Sequence, residues 1–186
     1  QLCEPAYPHY DSHVGRMSGM LLGLFENGGV YNHCNAFKIM ADCRLGRAEQ
    51  ALSTLHKMIP DSKDNPVSIT GAEPYLFVNC WCMHPSFFTR IWFGWFTGTS
   101  AWALRGFYEG ICGLRRGYGG LRVQPCIPGA WKELTLTRTF RGCRYHIHIS
   151  NTGSGKPEVT VDGNRLADTL LPVLNDGQIH EVVVRT

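Results

Sequence analysis

Three hydroxyls and a glycine stand together in Trp95-Phe96-Thr97-Gly98-Thr99-Ser100-Ala101-Trp102, directly ahead of an apolar run whose spacing predicts a helix over Ala101 to Cys112. The first amides of a helix have no partners within it and lie at the positive end of its dipole. A glycine lets a ligand approach that backbone, and Thr97, Thr99 and Ser100 can cap the helix or donate to an anion. The segment therefore suits a phosphate-sized anion, and it also suits an ordinary N-cap. A second donor, His33, closes the run Phe25-Glu26-Asn27-Gly28-Gly29-Val30-Tyr31-Asn32-His33. Taken alone, it reads first as a turn histidine that satisfies local backbone.

These residues need elements to hold them. Residues 1–35 are broken by Pro5, Pro8, Gly15, Gly19, Gly23 and Gly28-Gly29 and read as irregular. From Ala36 to Leu45 the positions Phe37, Ile39, Met40 and Cys43 suit a packed helix. Ala48, Leu52, Leu55 and Met58 mark a second helix that stops at Pro60. Asp61 to Asn65 reads as a polar turn. Pro74 and Pro85 argue against one long helix over Val67 to Phe93. After Gly117-Tyr118-Gly119-Gly120 the period changes to two. Leu134 to Phe140 and Tyr145 to Ile149 alternate strictly, and Asp162-Gly163-Asn164 and Asn175-Asp176-Gly177 are hairpin signals. Helices followed by turn-separated strands predict a helical portion carrying a small β-sandwich, with the boundary near Gly119.

Composition narrows the class. At 186 residues, 44% apolar and 18% charged, the chain is globular, and a net charge of +3 without basic blocks does not point to nucleic acid. No apolar run is long enough to cross a bilayer, and no signal peptide pattern is present. Eight cysteines at irregular spacing, with no Cys-x-x-Cys, read as free buried thiols in a reducing, cytoplasmic compartment. The pair in Cys80-Trp81-Cys82 is likewise expected to be inert. His146 and His148 lie two apart and so face one side of a strand. No third ligand stands at a sensible spacing, so no metal site is expected.

In order and spacing, several of these motifs resemble the C-terminal part of glycoside hydrolase family 94, the cellobiose and chitobiose phosphorylases. They are the Glu26-Asn27-Gly28-Gly29 to His33 segment, Glu73-Pro74-Tyr75, the Thr97-Gly98 helix start, Leu121-Arg122-Val123-Gln124-Pro125, and Thr137-Arg138-Thr139-Phe140-Arg141-Gly142. The resemblance runs from about Gly15 to Val184. It implies an α+β multidomain fragment in which residues 1–118 are the last helices of an (α/α)6 barrel. Residues 119–186 would be a C-terminal antiparallel, jelly-roll-like β-sandwich. It also implies inverting phosphorolysis of a β-glucosyl disaccharide or short oligosaccharide to α-glucose 1-phosphate, with phosphate as a substrate and no cofactor.

Carried over residue by residue, the resemblance assigns His33, Thr97 and Gly98 to phosphate binding. It assigns Asn79, where the family usually has Gln, to the donor sugar, with Tyr75 and Trp95 lining the cavity. Arg16 lies in a loop the family uses around the acceptor, where a guanidinium suits an acidic sugar. Phe25 stands where some members have Lys. No catalytic residue is assigned: Glu26 and Glu73 are weak candidates, and the family's general acid is an Asp further upstream. A chain beginning at Gln1 is accordingly expected to be a C-terminal piece, inactive alone. A homodimer is also implied. Two rival readings stand beside this one, a non-catalytic carbohydrate-binding or scaffold module and the tail of a cyclic β-1,2-glucan synthase.

Overall fold

The amphipathic pair forms helices α1 (Asn32–Arg44) and α2 (Ala48–Met58) in the computed structural model, which describes residues 3–60, 63 and 65–186. Ala36, Ile39 and Cys43 on α1 and Ala51, Leu55 and Met58 on α2 are buried, each set a stripe at helical spacing. Helix α1 starts at Asn32, earlier than the apolar period indicates, because buried Asn32 is bonded into the structure on both sides. Its amide donates to the Asn79 carbonyl (2.9 Å) and its side-chain NH2 to the Val78 carbonyl (3.0 Å). Phe37, expected in the core, is exposed and meets Trp102 edge to face at 4.8 Å. Part of the expected polar turn over 61–65 lies outside the described residues.

The backbone divides into two compact units, Gln1–Ile39 with Ser53–Gly106 and Met40–Leu52 with Phe107–Thr186. In the first, strands β1 (Val30–Tyr31), β2 (Cys80–Trp81) and β3 (Ile91–Trp92) form an antiparallel sheet in that order. The long loop before β1 is not free. Buried Asn27 accepts from the Tyr7 amide (2.7 Å) and donates to the Tyr7 and Met20 carbonyls (3.1 and 2.9 Å). The next turn is tight enough that a Cβ on Gly29 would fall 2.6 Å from the Phe25 carbonyl oxygen. Helix α3 (Val67–Thr70) is a single turn. Helix α4 (Thr99–Arg105) passes into a π-helical turn, Gly106–Ile111, in which the Cys112 amide returns to the Phe107 carbonyl (2.8 Å).

The second unit holds two sheets. Strands β4 (Leu114–Gly117) and β5 (Gly120–Val123) form a hairpin, and β10 (Leu170–Leu171) pairs with β5. Strands β6 (Glu133–Phe140), β7 (Cys143–Ser150), β8 (Glu158–Val161), β9 (Asn164–Arg165) and β11 (Ile179–Arg185) are ordered β6-β7-β11-β8-β9. The alternation seen in the sequence places Tyr145, Ile147, Ile149, Val182 and Val184 inside. Tyr145 also donates its hydroxyl to the Pro172 carbonyl.

The structure is thus a mixed α and β chain with several sheets. It corrects the expected antiparallel arrangement at one place: β11 runs parallel to β7, with Glu181 beside His146 and Val183 beside His148. The Asn175-Asp176-Gly177 turn is therefore no hairpin, since the strand before it pairs with β5 and the strand after it with β7 and β8. Asp162-Gly163 does close the β8–β9 hairpin, with φ positive at both residues as a type I′ turn requires. Arg141-Gly142 closes β6–β7 in the same way.

His180, buried at the start of β11, bonds two carboxylates at once: Nδ1 to Asp162 Oδ2 (2.8 Å) and Nε2 to Asp176 Oδ1 (3.1 Å). Bonds to Asp162 and then Asp176 raise the imidazole above its ordinary value. The His180 ring and the Glu181 amide lower Asp162, and the Gln178 amide followed by His180 lowers Asp176. The raised histidine contributes stability that is complete below its unfolded pKa near 6.5 and is lost as pH rises through the higher folded value. The depressed carboxylates contribute above about pH 4 and are lost as pH falls through their folded values. Denaturant titrations should show His180→Gln destabilising by about 1–3 kcal/mol at pH 5–6. The difference from wild type should shrink at pH 9 and again below pH 3.

Candidate functional site

The β1-β2-β3 sheet determines which loops meet. Val30 pairs with Trp81 and Tyr31 with Cys80, while Cys80 pairs with Trp92 and Trp81 with Ile91. Just past the paired residues, Asn79 continues the connection: its carbonyl accepts from the Asn32 amide and its amide donates to the Phe93 carbonyl, each at 2.9 Å. The side chain of Asn32 is held further by the Asn35 amide group (2.9 Å). His33, Asn79 and the segment leading to Thr97 therefore leave one small sheet at neighbouring points.

His33 and Gly98 meet closely. A Cβ built on Gly98 would lie 2.8 Å from His33 Nε2, so the imidazole stands where any side chain at 98 would have to go. Gly98 has φ −82°, a value open to any residue, so space rather than backbone strain demands glycine. The ring of His33 rests edge-on against Tyr31, 5.4 Å between centroids.

The Thr97 hydroxyl is 2.7 Å from the buried Thr99 hydroxyl, accepts from the Thr99 amide (3.1 Å) and receives the Asn79 side-chain NH2 at 3.4 Å. Thr97 thus stands just ahead of Gly98, the N-cap of α4, and belongs to a polar cluster. Asn79 Oδ1 and Glu73 Oε2 are buried without a hydrogen-bond partner among the described residues. Such an orphan oxygen costs about 1–3 kcal/mol unless a ligand or water satisfies it.

The three residues assigned to phosphate thus come together: His33 stands against Gly98, and Thr97 is its chain neighbour. Asn79, assigned to the donor sugar, turns its NH2 toward Thr97 and leaves its oxygen open. Arg16 is exposed on a 3-10 turn, Gly15–Gly19, and makes no hydrogen bond or ion pair among the described residues. Tyr75 and Trp95 are exposed side by side, ring centroids 6.0 Å apart, as two faces a sugar can lie against. Phe25 stacks on Phe93 at 5.5 Å, which accounts for an aromatic ring at that position. Sequence reasoning missed the role of Asn32 and named Thr99 only as a cap or anion donor; their amide and hydroxyl types were visible, but their burial was not.

Two further groups carry chemistry. The cysteines are free thiols. Burial pushes Cys80 up to about 11 and Cys112 up to about 12. Cys43 and Cys126 are neighbouring thiols that titrate together: Cys43, helped by Arg115, lowers half-buried Cys126, and the pairing raises Cys43. In the five-stranded sheet, His146 and His148 on β7 both face Glu181 on β11. His146 Nδ1 is 3.2 Å from Glu181 Oε1, and His148 Nε2 is 3.7 Å from Oε2. The sequence reading found only the two histidines, because their carboxylate lies 35 residues beyond His146 and is brought there by parallel pairing.

The model of the glycosyl hydrolase 94 superfamily catalytic domain matches residues 1–113, and that of the glycosyl hydrolase family 65 C-terminal domain matches residues 114–156. The chain belongs to the glycosyl hydrolase 94 superfamily. It is 37% identical to a solabiose phosphorylase of Paenibacillus borealis over 97% of its length and 24% of that relative's. It is 35% identical to a 3-O-β-D-glucopyranosyl-β-D-glucuronide phosphorylase of the same organism, over 100% of this chain and 25% of the relative. A cellobionic acid phosphorylase of Neurospora crassa is 32% identical over 99% and 24%. The chain thus spans about a quarter of the length of these curated relatives, all of them glycoside phosphorylases.

The thiol environments predict an order of reactivity. At pH 7.5, brief treatment with iodoacetamide and peptide mass spectrometry should find Cys126 alkylated at least about tenfold faster than Cys80 or Cys112, since only the thiolate reacts. Cys43→Ala should slow Cys126; equal rates in the two proteins would show that the paired thiol does not activate it.

Proposed function

We propose that His33, Thr97 and Gly98 form part of a phosphate cradle in an inverting glycoside phosphorylase. The enzyme would act on a β-glucosyl disaccharide or short oligosaccharide, transferring the glucosyl group to phosphate as α-glucose 1-phosphate. The observation that supports this most is the placing of the His33 ring against the Cα of Gly98, next to a threonine hydroxyl at the start of a helix. A ring N–H, a hydroxyl and a backbone amide are the donors an oxyanion needs. Thr97 already accepts from an amide and from Asn79, so its own proton goes to Thr99 or to a ligand.

In this reaction phosphate attacks the anomeric carbon from the face opposite the leaving oxygen. The glycosidic C–O bond breaks, a C–O bond to phosphate forms, and a carboxylic acid protonates the departing sugar. Phosphate is already a nucleophile, so the site must hold and orient a dianion rather than deprotonate water. The acid would come from a part of the enzyme outside these residues. Asn79 Oδ1, still lacking a donor, would accept from a donor-sugar hydroxyl, with Tyr75 as a stacking face. Arg16 would pair with an acidic acceptor, a reading favoured by the glucuronide and cellobionic acid named for two relatives. Residues 1–118 would complete an (α/α)6 barrel, and 119–186 would be a C-terminal sheet domain.

Calorimetric titration of phosphate into the enzyme carrying these residues tests the cradle. Thr97→Val should weaken binding about tenfold and His33→Ala about ten- to a hundredfold, the effect of one lost bond to a charged group. Gly98→Ala should weaken it as well by displacing the imidazole. A protein that binds sugar but whose phosphate affinity none of the three changes alters is a carbohydrate-binding module instead.

A further inference from the structure

The outward face of the five-stranded sheet brings together three groups that the phosphorylase reading does not use. His146 and His148 share one face of β7, ring centroids 4.7 Å apart, and the parallel register sets Glu181 of β11 directly beside His146. One ligand atom from each of the three lies within 4.8 Å of the others. The two carboxylate oxygens each reach one ring, Oε1 at 3.2 Å from His146 Nδ1 and Oε2 at 3.7 Å from His148 Nε2. A tetrahedral zinc with bonds of about 2.1 Å has ligand-to-ligand edges of about 3.4 Å, which these two spacings bracket. Closing the three groups on one ion requires the widest spacing, up to 4.8 Å, to shorten, which exposed side chains on one sheet face can do.

The neighbouring strand supplies the orientation such a site requires. Thr135 of β6 pairs with His148, and its hydroxyl lies 3.1 Å from His148 Nδ1. When Nδ1–H donates to that hydroxyl, Nε2 is left bare and turned toward a carboxylate oxygen. Two acceptors then face each other, an arrangement that a cation resolves. An outer-shell bond to the second ring nitrogen is the usual means of fixing a ligating histidine. The side chains are 39%, 46% and 57% exposed, so a water can complete the coordination.

We propose that His146 Nδ1, His148 Nε2 and a Glu181 oxygen bind a divalent first-row transition ion, zinc by ligand type, with water in the remaining position. Two imidazoles and one carboxylate are borderline ligands suited to zinc rather than to calcium or magnesium. The ion would clasp the parallel β7–β11 pair, whose strands are not joined by a hairpin. It is a structural site on the sheet, separate in its residues from the phosphate cluster.

Chelator-treated protein titrated with zinc, and with cobalt(II) as a visible probe, provides the test. One equivalent should bind through nitrogen and oxygen, without the near-ultraviolet thiolate band that cobalt shows on cysteine. The doubly substituted His146→Ala/His148→Ala protein should lose that equivalent. Glu181→Gln, a same-sized change on an exposed side chain, should weaken it at least tenfold, and Thr135→Val severalfold. Zinc should raise the melting temperature of the unsubstituted protein and not of Glu181→Gln, with circular dichroism confirming that both are folded. Unchanged stoichiometry and affinity in the folded variants, a thiolate band for the bound ion, or no bound equivalent would each overturn the proposal.

Discussion

The hydrogen bond from the Asn32 amide to the Asn79 carbonyl holds the candidate site together. It joins the first turn of α1 to the residue just ahead of β2, and the Asn32 side chain repeats the tie one residue away, at Val78. His33 follows Asn32 in the chain, and Asn79 reaches Thr97 through its side chain. One buried asparagine therefore sets the spacing between an imidazole and a hydroxyl that lie far apart in sequence. Both asparagines are buried, so an unmet amide there would be costly, and that cost makes the arrangement specific. The clash that any side chain at 98 would meet makes it tight.

The same logic of pairing decides the chemistry of the second unit. Parallel alignment of β11 with β7 brings Glu181 to His146, while antiparallel alignment with β8 and the following turns bring Asp162 and Asp176 to His180. The neighbouring positions 180 and 181 thus face opposite ways and meet different partners. The inward histidine is held between two carboxylates and is raised in pKa. The outward carboxylate bridges two rings. Strand alternation separates a buried histidine held by two carboxylates from an exposed ligand set within two residues of one strand.

Much of the scaffold was legible in the sequence because its signals are local. The apolar stripes of α1 and α2, the strict alternation of β6 and β7 and the Asp162-Gly163 turn each express a period or a turn chemistry carried by a few adjacent residues. The errors came where an element owes its form to distant partners. Helix α1 begins at Asn32 because of β2, and the helix after Thr99 widens into a π turn. The Asn175-Asp176-Gly177 turn leads to β7 and β8 rather than back along its own strand. Phe37 followed the apolar period but stands exposed beside Trp102.

Residue types and short-range order were enough to nominate His33, Thr97 and Gly98 and to reveal the family, since the motifs lie in fixed succession along the chain. Folding alone decided that the His33 ring would stand in the space left by Gly98, that Thr97 would share its hydroxyl with Thr99 and Asn79, and that Asn79 would keep an unpaired oxygen. It also decided that two histidines on one strand would find a carboxylate 35 positions beyond the first. The physical reason is the same throughout. Propensity and periodicity are properties of neighbours in the chain, whereas ligand sets, orphan acceptors and shifted acidities are properties of neighbours in space, and only strand register and burial determine which those are.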